Sequence, residues 1–312
     1  MGGLSEPVAA CVYGAPPPAL ATAPAGARQV SPLVPGADAL ETLAPGSLSA
    51  AVIAAPPGTL ERRYALALAL RALKPGSPLT ALAPKDKGGS RLRKELEAFG
   101  CRVQEVGRQH QRICHASRPD APVGLEAAIA AGGPQRLEAP GLWTQPGVFS
   151  WDREDLGSQL LIAALPALSG RGADLGCGIG VLAAAVLSSP AVTRLDLVDL
   201  DRRALDAARR NLADPRAVFH WADVRGGPDF AGPDPAGLDF VVMNPPFHER
   251  GLEDKALGQA FIRRSHQMLR PGGVLWLVAN RHLPYEAELA AQFGRVTPKG
   301  EGQGFKIYEA RR

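Results

Sequence analysis

Aromatic residues make up only 5% of this 312-residue chain, and it holds four cysteines and three methionines. Cys11, Cys101, Cys114 and Cys177 are scattered with no CxxC spacing. That argues against a zinc site and a disulfide framework, suits a reducing cytoplasm, and leaves no metal expected. No apolar run reaches the roughly 18 residues of a membrane span, and the N-terminus has no basic-then-apolar leader pattern, so a membrane partner is not expected. There is no large excess of one charge: the net is +4. Glycine (35) and proline (29) are abundant, partly as base composition, so isolated ones carry little weight.

At 46% hydrophobic content and this length, the chain suits two domains with a core each. The charge is uneven. Residues 1–140 hold 15 Lys and Arg against 11 Asp and Glu; residues 141–312 hold 20 of each. The excess peaks in KDKGGSRLRK, with Lys85, Lys87, Arg91, Arg93 and Lys94. A solvated helix face and a phosphate-contacting patch both fit that cluster.

The chain is organised around residues 239–248, DFVVMNPPFH. The apolar run at 239–243 reads as a strand buried on both faces of a parallel sheet. Asn244-Pro245-Pro246 stops it, since neither proline has an N–H and each keeps its predecessor out of helical geometry. The result is a stiff loop at a strand's carboxyl end, where open α/β sheets bind ligands. A planar amine can give its hydrogens to the Asn244 side-chain oxygen and the Pro245 carbonyl while its ring stacks on Phe247. His248 suits a contact to the base or a phosphate, and equally a satisfied loop histidine.

A second signal precedes it. The strand ending at Asp174-Leu175 runs into Gly176, Cys177, Gly178, Ile179 and Gly180, and a helix opens near Val181. Glycines at such a turn let a ligand lie against bare backbone. The pattern is GxGxG, not the dinucleotide GxGxxG, because position 181 is valine. The next strand, 195–198, ends at Asp199 and Leu200, near the ~20-residue offset at which an acidic residue takes up ribose hydroxyls. Asp201 reads as the N-cap of a helix over 202–212. A strand over 217–221 leads to Asp223 and Val224. Asp223 suits either an adenine amino group or a turn cap.

The two halves repeat. The first reads as strand 47–55, helix 60–73, strand 79–83, helix 90–99 and a strand pair at 101–106 and 112–116. The second reads as strand 240–244, helix 256–269, strand 274–279, helix 284–293, then 295–296 and 306–310. AAPPG matches MNPPF, LKPGSPL matches LRPGGVL, AFGCRV matches QFGRV and RICHA matches KIYEA, in the same order. Ala55 stands where Asn244 stands, Gly58 where Phe247 stands, and the first half has no glycine loop. Residues 1–30 read as irregular, 31–130 as a degenerate copy with a basic surface, and 131–312 as the active copy. The linker at 119–140 carries a short helix over 125–131. Phe149 sits in a turn-like entry, and Gly157-Ser158 can cap a helix over 159–165.

DLGCGIG, Asp199, Asp223 and NPPF together resemble a class I S-adenosylmethionine-dependent methyltransferase. The histidine of NPPFH, VFSWDREDLGSQLL, VANRHLPY and GFKIYEA narrow the resemblance. They are similar to the bacterial C-type guanine-N2 methyltransferases of small-subunit ribosomal RNA, with the G-type enzymes of large-subunit RNA next. The likeness is strong over 141–312, weaker over 31–118 and absent over 1–30. It implies an α/β fold of two tandem Rossmann-like domains, the first degenerate and the second with a mostly parallel seven-stranded sheet. It also implies S-adenosylmethionine as cofactor and 16S ribosomal RNA within the small ribosomal particle as partner; a monomer is the expected state. For the cofactor it implies Phe149, Asp174, Gly176, Gly178, Asp199 and Asp223, and Cys177, Gly180, Leu200, Val224 and Asn244 are expected beside them. For the base it implies Asn244, Pro245 and Phe247. Lys85, Lys87, Arg91, Arg93, Lys94 and His248 are the expected RNA contacts. The rival expectations are 23S RNA, a protein glutamine side chain, and a non-catalytic assembly factor.

Overall fold

A computed structural model describes residues 9–139, 141–226, 237–246, 248–249, 252–253 and 255–312. The chain divides into two compact units. The first comprises the described residues up to Pro134 with Gln145–Gly147; the second comprises Gln135–Thr144 and Val148–Arg312.

The first unit is a six-stranded sheet of β1 (Ala10–Tyr13), β2 (Arg28–Gln29), β3 (Ala50–Ala54), β4 (Pro78–Pro84), β5 (Val103–Arg108) and β6 (Gln111–Ser117). Its spatial order is β2-β1-β3-β4-β6-β5, parallel up to β4 and antiparallel beyond. The β5–β6 hairpin turns on Gln109 and His110, both at positive φ, the geometry that matches the twist of paired strands. Helix α1 (Thr59–Ala72) carries Leu and Ala on all sides and is buried almost throughout, as an all-apolar helix must be. Helix α3 (Leu125–Gly132) packs on it, and a Cβ at Gly132 would lie 2.5 Å from the Tyr64 Cβ, so only glycine permits that approach. Helix α2 (Ser90–Ala98) adds Leu92 and Leu96 to the same core.

The N-terminal residues correct one expectation. Residues 10–13 and 28–29 are strands of the first sheet. Cys11 is fully buried, and Leu20 and Ala21 pack on Val52, Leu82 and Ile113 on the sheet's other face. Backbone pairing of β1 with β3 orders a stretch whose side-chain pattern has no period.

The second unit opens with a two-strand ribbon, β7 (Gln135–Arg136) and β8 (Trp143–Thr144), and helix α4 (Leu156–Ala164). Its main sheet comprises β9 (Gly170–Leu175), β10 (Val192–Asp199), β11 (Ala217–Trp221), β12 (Leu238–Met243), β15 (Leu269–Asn280), β16 (Arg295–Gly302) and β17 (Phe305–Arg311). A small ribbon of β13 (His248–Glu249) and β14 (Leu252–Glu253) follows β12. The main sheet's order is β11-β10-β9-β12-β15-β17-β16, with only β17 antiparallel to its neighbours. This is the seven-stranded, mostly parallel sheet that the sequence implied. Helices α7 (Lys255–Met268) and α8 (Glu286–Gln292) cover one face; α4, α5 (Val181–Leu187) and α6 (Arg202–Asn211) pack on the other. Gly172 in β9 has a steric reason: a Cβ there would meet the Phe240 ring at 2.1 Å. No helix of the described residues is long and apolar enough to cross a membrane.

Candidate functional site

Parallel strands that reverse their order leave a crevice outside their carboxyl ends. In the second unit the reversal falls between β9 and β12. Val242 of β12 is paired with Asp174, and Val198 of β10 with Leu175. Asp199 in turn pairs with Trp221 of β11. The registers therefore line up the ends of β11, β10, β9 and β12, and bring the glycine loop, Asp199, Asp223 and Asn244 to one rim.

The loop is built by its glycines. Gly176, Gly178 and Gly180 all have positive φ, at 74°, 53° and 90°. A Cβ at Gly178 would meet nothing within 4 Å, so the loop leaves open space there. The N–H groups of Gly176 and Cys177 are spent on the Val198 carbonyl. Asn211, at the end of α6, donates to the Ile179 carbonyl at 3.0 Å and exchanges hydrogen bonds with the Trp143 backbone. Sequence reasoning missed this residue; its only local signal is an asparagine at the end of a helix.

Asp199 is held by two backbone donors, Gly178 N to Oδ2 and Asp201 N to Oδ1, each at 2.8 Å. Burial raises its carboxyl to about 6, against the pull of those N–H groups. The Leu200 N–H adds to that pull. Asp201 is the N-cap of α6, accepting from Arg203 N, as the sequence indicated.

Asp174 is the anomaly. It is fully buried, and neither carboxyl oxygen lies in hydrogen-bond geometry with a donor among the described residues. Burial, with the charge of Asp199, pushes it up to about 8, and the Ala183 N–H offsets that only in part. A buried acid with so little hydrogen bonding is costly. A cationic ligand group beside it removes the cost, and with the open glycine loop this fits the ammonium-bearing end of S-adenosylmethionine.

The other cofactor positions divide. Phe149 is 60% exposed, an apolar ring that protein covers only in part. Asp223 takes three close contacts from its neighbour: Arg225 N and Nη2 each donate at 2.8 Å and Nε at 3.0 Å. Burial pushes Asp223 up, but those bonds hold it below the usual carboxylate range. The turn-cap reading of Asp223 is thus satisfied within the chain. Cys177 and Val224 bury their side chains in the two cores, and burial drives the Cys177 thiol well up. They can offer a ligand only backbone. Leu200 uses its carbonyl to accept from Trp221 Nε1 at 2.8 Å.

Asn244 is half-buried, Pro245 buried and Pro246 exposed. The Asn244 Nδ2 donates to Asp155 Oδ2 at 2.7 Å and to Ser158 Oγ at 3.2 Å. Asp155 is also the N-cap of α4, accepting from Ser158 N at 2.6 Å. This corrects the expected cap: α4 starts at Leu156, and Asp155 closes it rather than Gly157-Ser158, because its side chain accepts from Ser158 N, the third N–H of the helix. With both Nδ2 hydrogens taken, the amide offers the crevice its oxygen. Phe247 lies outside the described residues. His248 is placed in β13 by its backbone alone.

In the first unit, Lys85 follows β4, and Lys85, Arg91 and Lys94 are exposed while Lys87 is half-exposed. Arg93 is exposed but tied to Glu97 at 2.8 Å. No group of three or more acidic, His or Cys side chains suited to a metal occurs among the described residues.

Fold and site together define a class I methyltransferase that uses S-adenosylmethionine. The family model for the methyltransferase small domain matches residues 140–309. Ribosomal RNA small subunit methyltransferase C of Pseudomonas aeruginosa (strain LESB58) is 34% identical over 91% of this chain and 86% of its own. The same-named protein of Shewanella sp. (strain MR-4) is 36% identical over 52% of this chain and 46% of its own. A solved T. thermophilus 16S rRNA N2 methyltransferase, in complex with AdoMet and guanosine, superposes with a TM-score of 0.72, at 28% identity over 88% of this chain and 75% of that one. The chain belongs to the ribosomal RNA small subunit methyltransferase C family.

Proposed function

We propose that this protein methylates the exocyclic N2 amine of a guanine in 16S ribosomal RNA, acting as a monomer on the small ribosomal subunit in the cytoplasm. The observation that carries the reading is the oriented amide of Asn244, whose hydrogens go to Asp155 and Ser158. The N2 lone pair of guanine is delocalised into the ring, so the amine is a poor nucleophile. Asn244 Oδ1 and the Pro245 carbonyl accept its two hydrogens and draw the lone pair toward the donor. Phe247 stacks on the base, which leaves its own stack at a cost of roughly a few kcal/mol. S-adenosylmethionine, when bound, supplies a methyl group already activated on a sulfonium. The chain's own work is positioning, and stabilising the positive charge that develops on nitrogen.

For the cofactor, Asp174 faces its ammonium group and Asp199 its ribose hydroxyls. Asp223, Leu200 and Val224 border its adenine, Phe149 covers its apolar side, and Gly176, Cys177, Gly178 and Gly180 lend backbone. The first unit positions RNA through Lys85, Lys87, Arg91 and Lys94, with Arg93 contributing less because Glu97 already neutralises it. His248 adds a contact to the RNA.

The test offers radiolabelled cofactor with small subunits, naked 16S RNA, large subunits and release factor in parallel. Label recovered as N2-methylguanosine from 16S RNA supports the reading. Label confined to large-subunit RNA or to a glutamine side chain overturns it.

A further inference from the structure

We infer that Asp155 is a positioning residue for methyl transfer: its carboxylate fixes which way the Asn244 amide faces and strengthens the amide oxygen as an acceptor. This rests on the reading of Asn244 as the acceptor for the substrate amine.

An asparagine amide is nearly symmetric in shape, and its two ends differ only in whether they donate or accept. A side chain that must accept from an amine fails if it is turned the other way, because two N–H groups then face two N–H groups. Backbone stiffness at Pro245-Pro246 does not settle this, since the amide turns about its own side-chain bonds. An ionised carboxylate does settle it, because it only accepts. Asp155 Oδ2 stands 2.7 Å from Asn244 Nδ2, and Ser158 Oγ, buried in the first turn of α4, adds a second acceptor at 3.2 Å.

The carboxylate is itself anchored by Ser158 N at 2.6 Å and by its place at a helix N-terminus, where negative charge is favoured. Gly157 allows the approach of α4. A Cβ there would sit 3.4 Å from Asn244 Nδ2 and 2.9 Å from the Phe305 ring. Residues 89 positions apart are thereby joined. A hydrogen bond to a charged acceptor polarises the amide, and chained bonds reinforce one another. The oxygen gains negative character where the substrate nitrogen gains positive charge. Asp155 does this through Asn244, without touching the base.

The test separates this role from helix capping. Asp155→Ser keeps a good N-cap but is too short to reach Asn244; Asp155→Thr serves the same purpose. Asp155→Asn keeps an acceptor of the same shape without the charge. We expect Asp155→Ser to lower the single-turnover rate on small subunits ~100-fold, as for loss of an oriented polar group. Its KM for subunits, cofactor affinity and melting temperature stay near the parent's. Asp155→Asn retains a rate within about tenfold, the size of a charge-assisted increment. Adding Asp155→Ser to Asn244→Ala costs little more than Asn244→Ala alone, because the two act as one unit.

A folded Asp155→Ser or Asp155→Thr enzyme turning over within about threefold of the parent, while Asn244→Ala is inactive, overturns this inference and leaves the Asn244 reading standing. An active Asn244→Ala enzyme overturns both. Effects of Asp155→Ser and Asn244→Ala that simply multiply overturn the coupling.

Discussion

The chain contains the same order of six strands twice, the second time with a seventh added, and the two copies show what a methyltransferase site consists of. Strands β1, β3, β4, β6 and β5 of the first unit repeat the order of β9, β12, β15, β17 and β16, and β2 stands where β10 stands. Helices α1 and α2 correspond to α7 and α8. The first unit has no counterpart to α5 or α6 among its described residues: β1 reaches β2 without a helix, and β2 reaches β3 through a single turn at Leu40–Thr42. What was lost is the half of the fold whose loops would surround a cofactor. What was kept is the half that carries the proline turn.

The proline turn was kept but stopped up. In the first unit Arg62, fully buried, donates to the Pro56 carbonyl at 3.1 Å and the Pro57 carbonyl at 2.7 Å. Its other nitrogens make two 2.6 Å bonds to Glu95. Pro56 is the sequence counterpart of Pro245, so the carbonyl that would accept a substrate amine accepts a guanidinium instead. Gly88, at φ 96°, leaves room for it; a Cβ there would lie 2.1 Å from Arg62 Nη1. In the second unit an acid stands beside the proline turn: Asp155, bonded to the Asn244 amide. In the first unit Arg62 occupies the two proline carbonyls; in the second, neither carboxyl oxygen of Asp174 lies in hydrogen-bond geometry with a donor among the described residues.

Breaking the plug gives the largest expected effect. Arg62→Ala leaves Glu95 buried and alone and lowers the first unit's stability by about 3–5 kcal/mol, read by denaturant unfolding. It creates no second cofactor site, so calorimetry still finds one molecule bound per chain. Two bound molecules would mean that the first unit is a masked site and not a degenerate one.

The converse change in the second unit is Asn244→Ala, which puts there what Ala55 is in the first. Turnover falls ~100-fold or more, while cofactor affinity stays within about threefold of the parent. A variant within tenfold of the parent in rate would remove the amide from the mechanism.

Asp174→Asn sharpens the contrast in electrostatics. Cofactor affinity drops roughly 10- to 100-fold, the worth of a hydrogen-bonded charge. The folded value of about 8 lies above the unfolded one of about 3.9. The stability due to Asp174 is therefore full below pH 4 and is lost as pH rises through 8. Without ligand, the variant overtakes the parent progressively over that window in denaturant titrations, and the gap is constant above it. A parent with no such pH dependence would mean that the fold holds this carboxylate ionised.

The smallest effects per residue fall on the basic surface. Lys85, Lys87, Arg91 and Lys94, each changed to Glu, weaken RNA binding a few-fold apiece and flatten its log-log salt dependence by roughly 0.7–0.9 per lost phosphate contact. Arg93→Glu changes less, because its charge is already shared with Glu97. Salt slopes indifferent to all five would make the first unit a brace.

Sequence alone settled whatever is written in short range or in repetition. The proline turn, the glycine loop, the Asp201 cap and the doubled order of elements rest on local backbone rules, so a single sequence exposes them. The strand over 217–221 and the helix beginning at 202 fall where the pattern put them. Tertiary structure decided what depends on partners far apart in the chain. β1 has no period of its own and is a strand because β3 offers it hydrogen bonds. The pairing of Asn244 with Asp155, the Arg62 plug on Glu95 and the isolation of Asp174 each join residues or exclude water by packing. No local pattern records which acid will meet which amide, or which carboxylate will be buried with little to bond, because burial and partner are properties of the folded whole.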